Sequence, residues 1–511
     1  MRKFFLAIAA GGLLFSSPAL AQNGKPRRPW CQTPPGTAPL EKRLEAILAD
    51  ANSLRGARTS IAFAIAPHGT PLFGKNADEL LTPASVTKIV TGAAALSRLG
   101  QEYVFPTELY GNLSPDGSTI KGDLYIKGYG DPSLVTERLL ILAQGLKNRG
   151  LRKVTGSLVA DDSFFDDVRF SPDWDGAEEE SDNSYVAATG ALSANFNALT
   201  VVVRPGQQKG DPPLAFLEPL TSFAALVNKA VTGAPGSGNT LQASRVEQKE
   251  GRQVILSGRI AEGGPEKRLY KNVENPGLHV ATLLLDFLRQ AGVQVDGGVR
   301  TGQVPEGTPL FDKLSSKPLD LILRDINKFS NNFIAEQLVK TLGATDTVPP
   351  GTWQKGLHVM GRYLDSIGVP ESGWKLHDGS GLSRKNRLSA GTLVRVLSAV
   401  FQDPRYRAEY EASLSLGGAD GTVRRRFKND ALFRRVRAKT GHLAAVSALA
   451  GYLYPPPGAP PIAFAVIVNG FRGGFPAVEA DVDSLVATVL DACTVPPSLT
   501  APANPEAPSP Y

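Results

Sequence analysis

Cysteine is nearly absent from this 511-residue chain: Cys31 and Cys493, close to opposite ends, are the only two. Two cysteines make no disulfide-rich scaffold, and with none of the five histidines near either one they cannot hold a structural zinc ion. In an oxidising compartment one disulfide joining the ends is the favoured reading, with two free thiols as the alternative. Long apolar runs are missing as well. Residues 4–15 fall short of the roughly 18 to 20 that a membrane-spanning helix needs, and no later segment reaches that length. Charge of one sign is also scarce. Lys and Arg total 55 against 49 Asp and Glu, and the formal +6 comes with no RNA- or DNA-binding signature, so no nucleic-acid partner is expected. A Gly-x-Ser-x-Gly elbow is lacking too, which argues against a Ser-His-Asp hydrolase.

What remains describes a soluble globular protein, 42% hydrophobic and 20% charged, too long for a single ordinary core. Arg2 and Lys3 precede the apolar run, and Ala19-Leu20-Ala21 has the small-x-small pattern of a cleavage site. Residues 1–21 therefore read as a signal peptide, and the mature chain is expected to be periplasmic or otherwise extracytoplasmic. Both mature ends, "QNGKPRRPWCQTPPGTAP" and the tail 494–511, are Pro-rich and aperiodic and should be loose.

Between them, Leu40, Leu44, Ile47, Leu48 and Ala51 recur at helical spacing. "SIAFAIAP" reads as a buried strand, "TPLFGKN" as its hairpin partner, and the segment after Ser85 as a helix. Near the other end "VRAKTGHL", "SALAGYLYP" and "PIAFAVIVNGF" read as three strands, followed by a helix with Pro476 at its start. Strands from both ends flanked by terminal helices predict one α+β domain with an antiparallel sheet. Residues 100–275 differ, with short β-like runs between Gly, Pro and Asp clusters. They predict β-rich inserted material, with the main domain divided into 33–99 and 276–493.

Ser85 and Lys88 are three residues apart where a polar turn gives way to an apolar helical run. A serine hydroxyl needs an adjacent base to become a nucleophile, and a lysine at i+3 on a helix lies on the same face. The bland reading is a helix-capping serine beside a solvated lysine. Ser-x-x-Lys occurs three times, and the copies at Ser118 with Lys121 and Ser372 with Lys375 lie in turn-like sequence, so only Ser85 precedes a helix. Lys439-Thr440-Gly441 is the only Lys-Thr-Gly and sits on an expected sheet edge. At least two Ser-x-Asn segments compete. Ser181-Asp182-Asn183 lies in an acidic, aperiodic stretch, whereas Ser330 and Asn332 open a segment in which Phe333, Ile334, Leu338 and Leu342 mark a helix. Ser330 and Asn332 are the choice.

In that order, "PASVTKIVT", "INKFSNNFIAEQL", "HDGSGLSRKNRLS" and "VRAKTGHL" resemble the class C low-molecular-mass penicillin-binding proteins, the D-alanyl-D-alanine carboxypeptidase/endopeptidase family, from about residue 40 to 493. The resemblance implies a penicillin-binding, serine β-lactamase-like α+β domain carrying an insertion of two small domains. It implies action on D-Ala-D-Ala type bonds of peptidoglycan stem peptides or cross-links, acylation by β-lactams, and no metal or organic cofactor. Ser85 becomes the nucleophile, Lys88 its base, Ser330 a proton relay, and Asn332 a holder of the substrate amide and of Lys88. Lys439 and Thr440 bind the terminal carboxylate. Gly441 permits close backbone approach, and the N–H groups of Ser85 and His442 form the oxyanion hole. His442 is a departure, since many relatives carry a hydroxylated residue there. "DGSGLSR", residues 378–384, reads as a structural turn rather than a catalytic one.

Overall fold

The computed structural model describes residues 38–174, 185–248 and 251–493. The expected signal peptide, Cys31, Ser181-Asp182-Asn183 and the tail 494–511 lie outside the described residues. None of the described helices is long and apolar enough to cross a membrane.

The main sheet has six antiparallel strands. In chain order they are β1 (Arg58–Ile65), β2 (Thr70–Lys75), β3 (Ser415–Leu416), β4 (Val436–Leu443), β5 (Val446–Leu453) and β6 (Ile462–Asn469), arranged in space as β2-β1-β6-β5-β4-β3. The two halves of the chain meet at the β1–β6 pair, where Arg58 faces Asn469 and Ile65 faces Ile462. The local sequence explains how the sheet is covered. Ile61, Phe63 and Ile65 alternate with Ala62 and Ala64, and Ile462, Phe464 and Val466 alternate with Ala463 and Ala465. Successive strand side chains leave on opposite faces, so one face is bulky and the other nearly all alanine. The bulky face packs on α1 (Leu40–Asp50) and α7 (Phe475–Ala492). The alanine face lets helices come close: α6 (Ala390–Gln402) packs on it, and α2 (Thr87–Leu99) packs on α6. Every residue of α2 from Thr87 to Leu96 is buried, because α3 (Leu319–Phe329), α4 (Asn332–Asp346) and α5 (Trp353–Ser366) enclose its other sides. A helix that is apolar all round has to be interior, and Ile89, Val90 and Leu96 contribute about 1.5–3 kcal/mol each by burial. Whatever α2 carries is held rigidly.

The inserted material is larger than the sequence predicts, and the expected return to the main domain at residue 276 is corrected. A seven-stranded sheet takes residues from both sides of that point: Gln294–Val295 and Val299–Thr301 run parallel to Lys153–Val154 and Leu158–Asp161, and Leu310–Ser315 lies antiparallel to Pro106–Leu113. Helix Pro276–Gln290 shares a core with helix Thr136–Asn148. The strong helical period of 276–290 is that of any amphipathic core helix, so periodicity could not say which core it joins. Nested within this unit, residues 198–272 form smaller sheets around a core containing Val201, Val203, Val254 and Leu256. Between the two, residues 161–174 and 185–192 run back over the main domain. Lys340 on α4 donates to Asp166, Gln337 to the Gly190 carbonyl, and Trp174 to Asp378.

Candidate active site

Ser85 sits in a 3-10 turn, Ala84–Val86, that feeds directly into α2. The residue before it, Ala84, is buried with φ of +50°, a left-handed conformation that a side chain adopts only when its surroundings impose it. Two of the imposing contacts are close backbone approaches. A Cβ on Gly381 would lie 1.9 Å from the Ala84 carbonyl oxygen, and one on Gly441 would lie 2.7 Å from the Pro83 oxygen and 3.1 Å from the Ser85 nitrogen. The glycine of Lys-Thr-Gly thus lets β4 press against the serine turn. The expected edge is present: β4 pairs with β5 along its whole length, while on its other side Ser415 and Leu416 reach only Ala438 and Arg437.

One helical turn on, Lys88 is fully buried. Its Nζ lies 2.9 Å from Ser85 Oγ, 2.7 Å from Asn332 Oδ1 and 2.6 Å from the Ser380 carbonyl oxygen. Burial lowers its pKa to about 7, although the charges of Asp378 and Glu336 pull the other way. The contacts say what the neutral amine does. It has two N–H bonds and one lone pair; two carbonyl-type acceptors take the N–H bonds, which leaves the lone pair for the Ser85 hydroxyl.

Ser330 approaches from α3 rather than opening a helix. It caps α3 in the left-handed region, φ +58°, and Asn331 caps α4 by accepting from the Ile334 N–H at 3.0 Å. This break between two helices brings Ser330 Oγ within 2.8 Å of Lys439 Nζ, while Asn332 donates to the Tyr185 carbonyl at 3.1 Å. Lys439 is fully buried, and burial followed by the nearby Lys88 charge drives its pKa well down. Thr440 is buried beside it. His442 turns away from this cluster: its Nε2 is 2.8 Å from Glu479 on α7, and its ring stands edge-on to Phe475.

Ser85, Lys88, Ser330, Asn332, Lys439, Thr440 and Gly441 therefore converge from four elements. The rival copies do not. Ser118 bonds Asp116 within a turn and Lys121 is exposed; Ser372 and Lys375 are exposed. The segment 378–384 is closer to the chemistry than its sequence implies, because the Ser380 carbonyl holds Lys88 and the Gly379 carbonyl accepts from Thr91. Buried Glu336 accepts from the Gly379 and Ser380 N–H groups and from Trp353, and burial with the Asp378 charge raises its pKa to about 7. The backbone contacts of Tyr185 and Ser380 leave no side-chain signal in a sequence. Glu336 offers only its own charge as a signal, since it shares its helix face with polar Asn332 and Lys340.

Three comparisons bear on this arrangement. The model of the D-Ala-D-Ala carboxypeptidase 3 (S13) family matches residues 40–489. A D-alanyl-D-alanine carboxypeptidase of Actinomadura sp. (strain R39) is 34% identical over 485 residues, 92% of this chain and 86% of the relative. The D-alanyl-D-alanine carboxypeptidase DacB of Haemophilus influenzae is 28% identical over 404 residues, 78% of this chain and 82% of that one. The crystal structure of penicillin binding protein 4 (dacB) from Haemophilus influenzae shares the fold, with a TM-score of 0.73 at 23% identity over 88% of this chain and 98% of that chain. The same protein complexed with a novel β-lactam gives a TM-score of 0.69. With Ser85 beside a fully buried Lys88 and a family model that spans nearly all the described residues, this chain belongs to the D-Ala-D-Ala carboxypeptidase 3 (S13) family.

Proposed function

We propose that this serine DD-peptidase works through Ser85 on the D-Ala-D-Ala type bonds of peptidoglycan stem peptides or cross-links, outside the cytoplasmic membrane. Neutral Lys88 takes the Ser85 proton as Oγ adds to the carbonyl carbon. The N–H groups of Ser85 and His442 receive the developing oxyanion, a contribution in which one lost donor costs about a hundredfold or more. Ser330, polarised by Lys439, passes a proton to the leaving amine, and Thr440 with Lys439 holds the terminal carboxylate. Water then hydrolyses the Ser85 ester. Asn332 orients Lys88 and offers its amide to the substrate. A β-lactam acylates the same hydroxyl, in keeping with the β-lactam complex of the Haemophilus influenzae structure. Export through residues 1–21 and pairing of Cys31 with Cys493 complete the reading; Cys493 is buried, and no described cysteine is free.

The observation that carries it is the 2.9 Å approach of fully buried Lys88 to Ser85 Oγ. Labelling with a fluorescent penicillin tests it. Ser85→Ala loses all covalent label while remaining folded, and Ser118→Ala and Ser372→Ala label as wild type. Label on any other serine of folded Ser85→Ala protein refutes the assignment.

A further inference from the structure

Three consecutive arginines follow the turn Gly421–Val423, and the chemistry above uses none of them. Arg426 is committed: its guanidinium donates to Asp483 at 2.6 Å and to Glu479 at 3.3 Å. Arg424 and Arg425 are exposed, and their side chains have no hydrogen-bonding or ionic partner among the described residues. They do not ride on a loose loop. Asp420 accepts from the Leu416 N–H at 2.7 Å and from Lys328 at 2.5 Å, and Gly421, at φ +58°, leaves a Cβ only 2.2 Å from Ser415 Oγ.

Both arginines line an open cleft of about 460 Å³ together with Lys328, Phe329, Thr440 and His442. Phe329 precedes Ser330, and Thr440 is where the carboxylate of the leaving group is held. The cleft is therefore the continuation of the site on the leaving-group side. The other charges around it are already balanced: Lys328 is paired with Asp420, and Glu479 is shared by Arg426 and His442. Net uncommitted charge is positive and resides on Arg424 and Arg425, which are suited to a carboxylate by their planar pair of donors. A departing D-Ala has one carboxylate, and Thr440 with Lys439 accounts for it. A departing stem peptide, as released from a cross-link, carries others further along.

Resting on the DD-peptidase assignment of Ser85, we infer that Arg424 and Arg425 form an anion subsite that takes a second carboxylate of the leaving group and favours cross-linked stems over single stems ending in D-Ala. The covalent chemistry is the same for both. The amide C–N bond breaks as the Ser85 ester forms, the amine departs with the relayed proton, and water restores the serine while freeing a carboxyl.

Purified enzyme is assayed on a cross-linked dimeric muropeptide and on a monomeric stem ending in D-Ala-D-Ala. Arg424→Gln/Arg425→Gln should lower the dimer-to-monomer ratio of kcat/KM by about tenfold, mostly through KM, as expected for losing two part-exposed charge contacts. Arg424→Lys/Arg425→Lys should restore part of it. On wild-type enzyme, a dimer amidated only at the acceptor-stem carboxylates beyond the one that Thr440 and Lys439 hold should lose the same advantage, which reads the subsite without any variant. An unchanged ratio in the Gln variant, or no loss on amidation, overturns the subsite. Failure of the wild-type protein to bind fluorescent penicillin covalently overturns the underlying DD-peptidase assignment instead.

Discussion

Lys88 in the cleft and Lys340 in the seam between α4 and residues 161–170 are both fully buried, yet the structure uses them oppositely. Lys340 donates to the Asp166 carboxylate at 2.6 Å and to the Val168 carbonyl at 2.5 Å, with the Trp353 ring 4.0 Å from its Nζ. Burial pushes its pKa down, and Asp166 pushes back. Lys88 has two neutral acceptors and a hydroxyl in direct contact, and the acids Asp378 and Glu336 act on it only through space. A contacting carboxylate makes a buried lysine a clamp that keeps its proton. Neutral acceptors and a hydroxyl make it a base. Burial alone does not distinguish the two.

Exchanging each lysine for methionine breaks the comparison most sharply. Lys88→Met should slow acylation by fluorescent penicillin by about 10²–10⁴-fold, the range of general base catalysis. Lys340→Met should leave the folded enzyme acylating within a few-fold of wild type while lowering its urea-unfolding stability by about 1–3 kcal/mol, the cost of stranding the Asp166 and Val168 acceptors. Comparable losses of acylation in both variants would erase the distinction.

A smaller effect sharpens it through pH. Only unprotonated Lys88 can accept the Ser85 proton, so the acylation rate should rise with pH through a midpoint near 7, the value to which burial lowers this amine. Asn332→Asp places a carboxylate where a neutral acceptor now lies 2.7 Å away, giving Lys88 the kind of partner that Lys340 has. The midpoint should move up by about one unit or more, with about a tenfold loss of rate at neutral pH. A rate profile that is flat, or unmoved in the variant, counts against a lysine base.

The converse change is the smallest. Asp166→Asn gives Lys340 neutral acceptors and should cost about 1 kcal/mol near neutral pH. The folded-state pKa of Lys340 already lies below its unfolded value, so the unfolded chain binds more protons between the two and stability rises with pH across that window. Losing Asp166 removes a contribution that raises the pKa, which widens the window. The deficit of the variant, followed by urea melts from pH 6 to 9, should therefore shrink as pH increases.

The pair Ser85 and Lys88 was legible because three residues on a helix define a shared face without help from the rest of the chain. Lys439-Thr440-Gly441 was legible as an edge strand for a similar local reason. The sequence prefers Ser330 to its rival by helical context, but the structure gives a different context: Ser330 ends α3 in a left-handed conformation, and the next helix begins at Asn332. The segment 378–384 reads as a structural turn in the sequence because its contribution to Lys88 is a backbone carbonyl, which every residue has. The boundary at 276 was missed because helix Pro276–Gln290 has an apolar face suited equally to either of two cores, and only the strand pairings of 294–315 decide between them.

By itself the sequence determined the residue types of the reaction, their order, and the alternation of alanine with bulky residues that builds a two-faced sheet, since these depend on helical and strand periods alone. The tertiary structure decided the state of the base. Burial lowers Lys88 to about 7, while Asn332 and Ser380, 244 and 292 residues away along the chain, meet it with neutral acceptors rather than carboxylates, and desolvation and distance belong to the folded molecule.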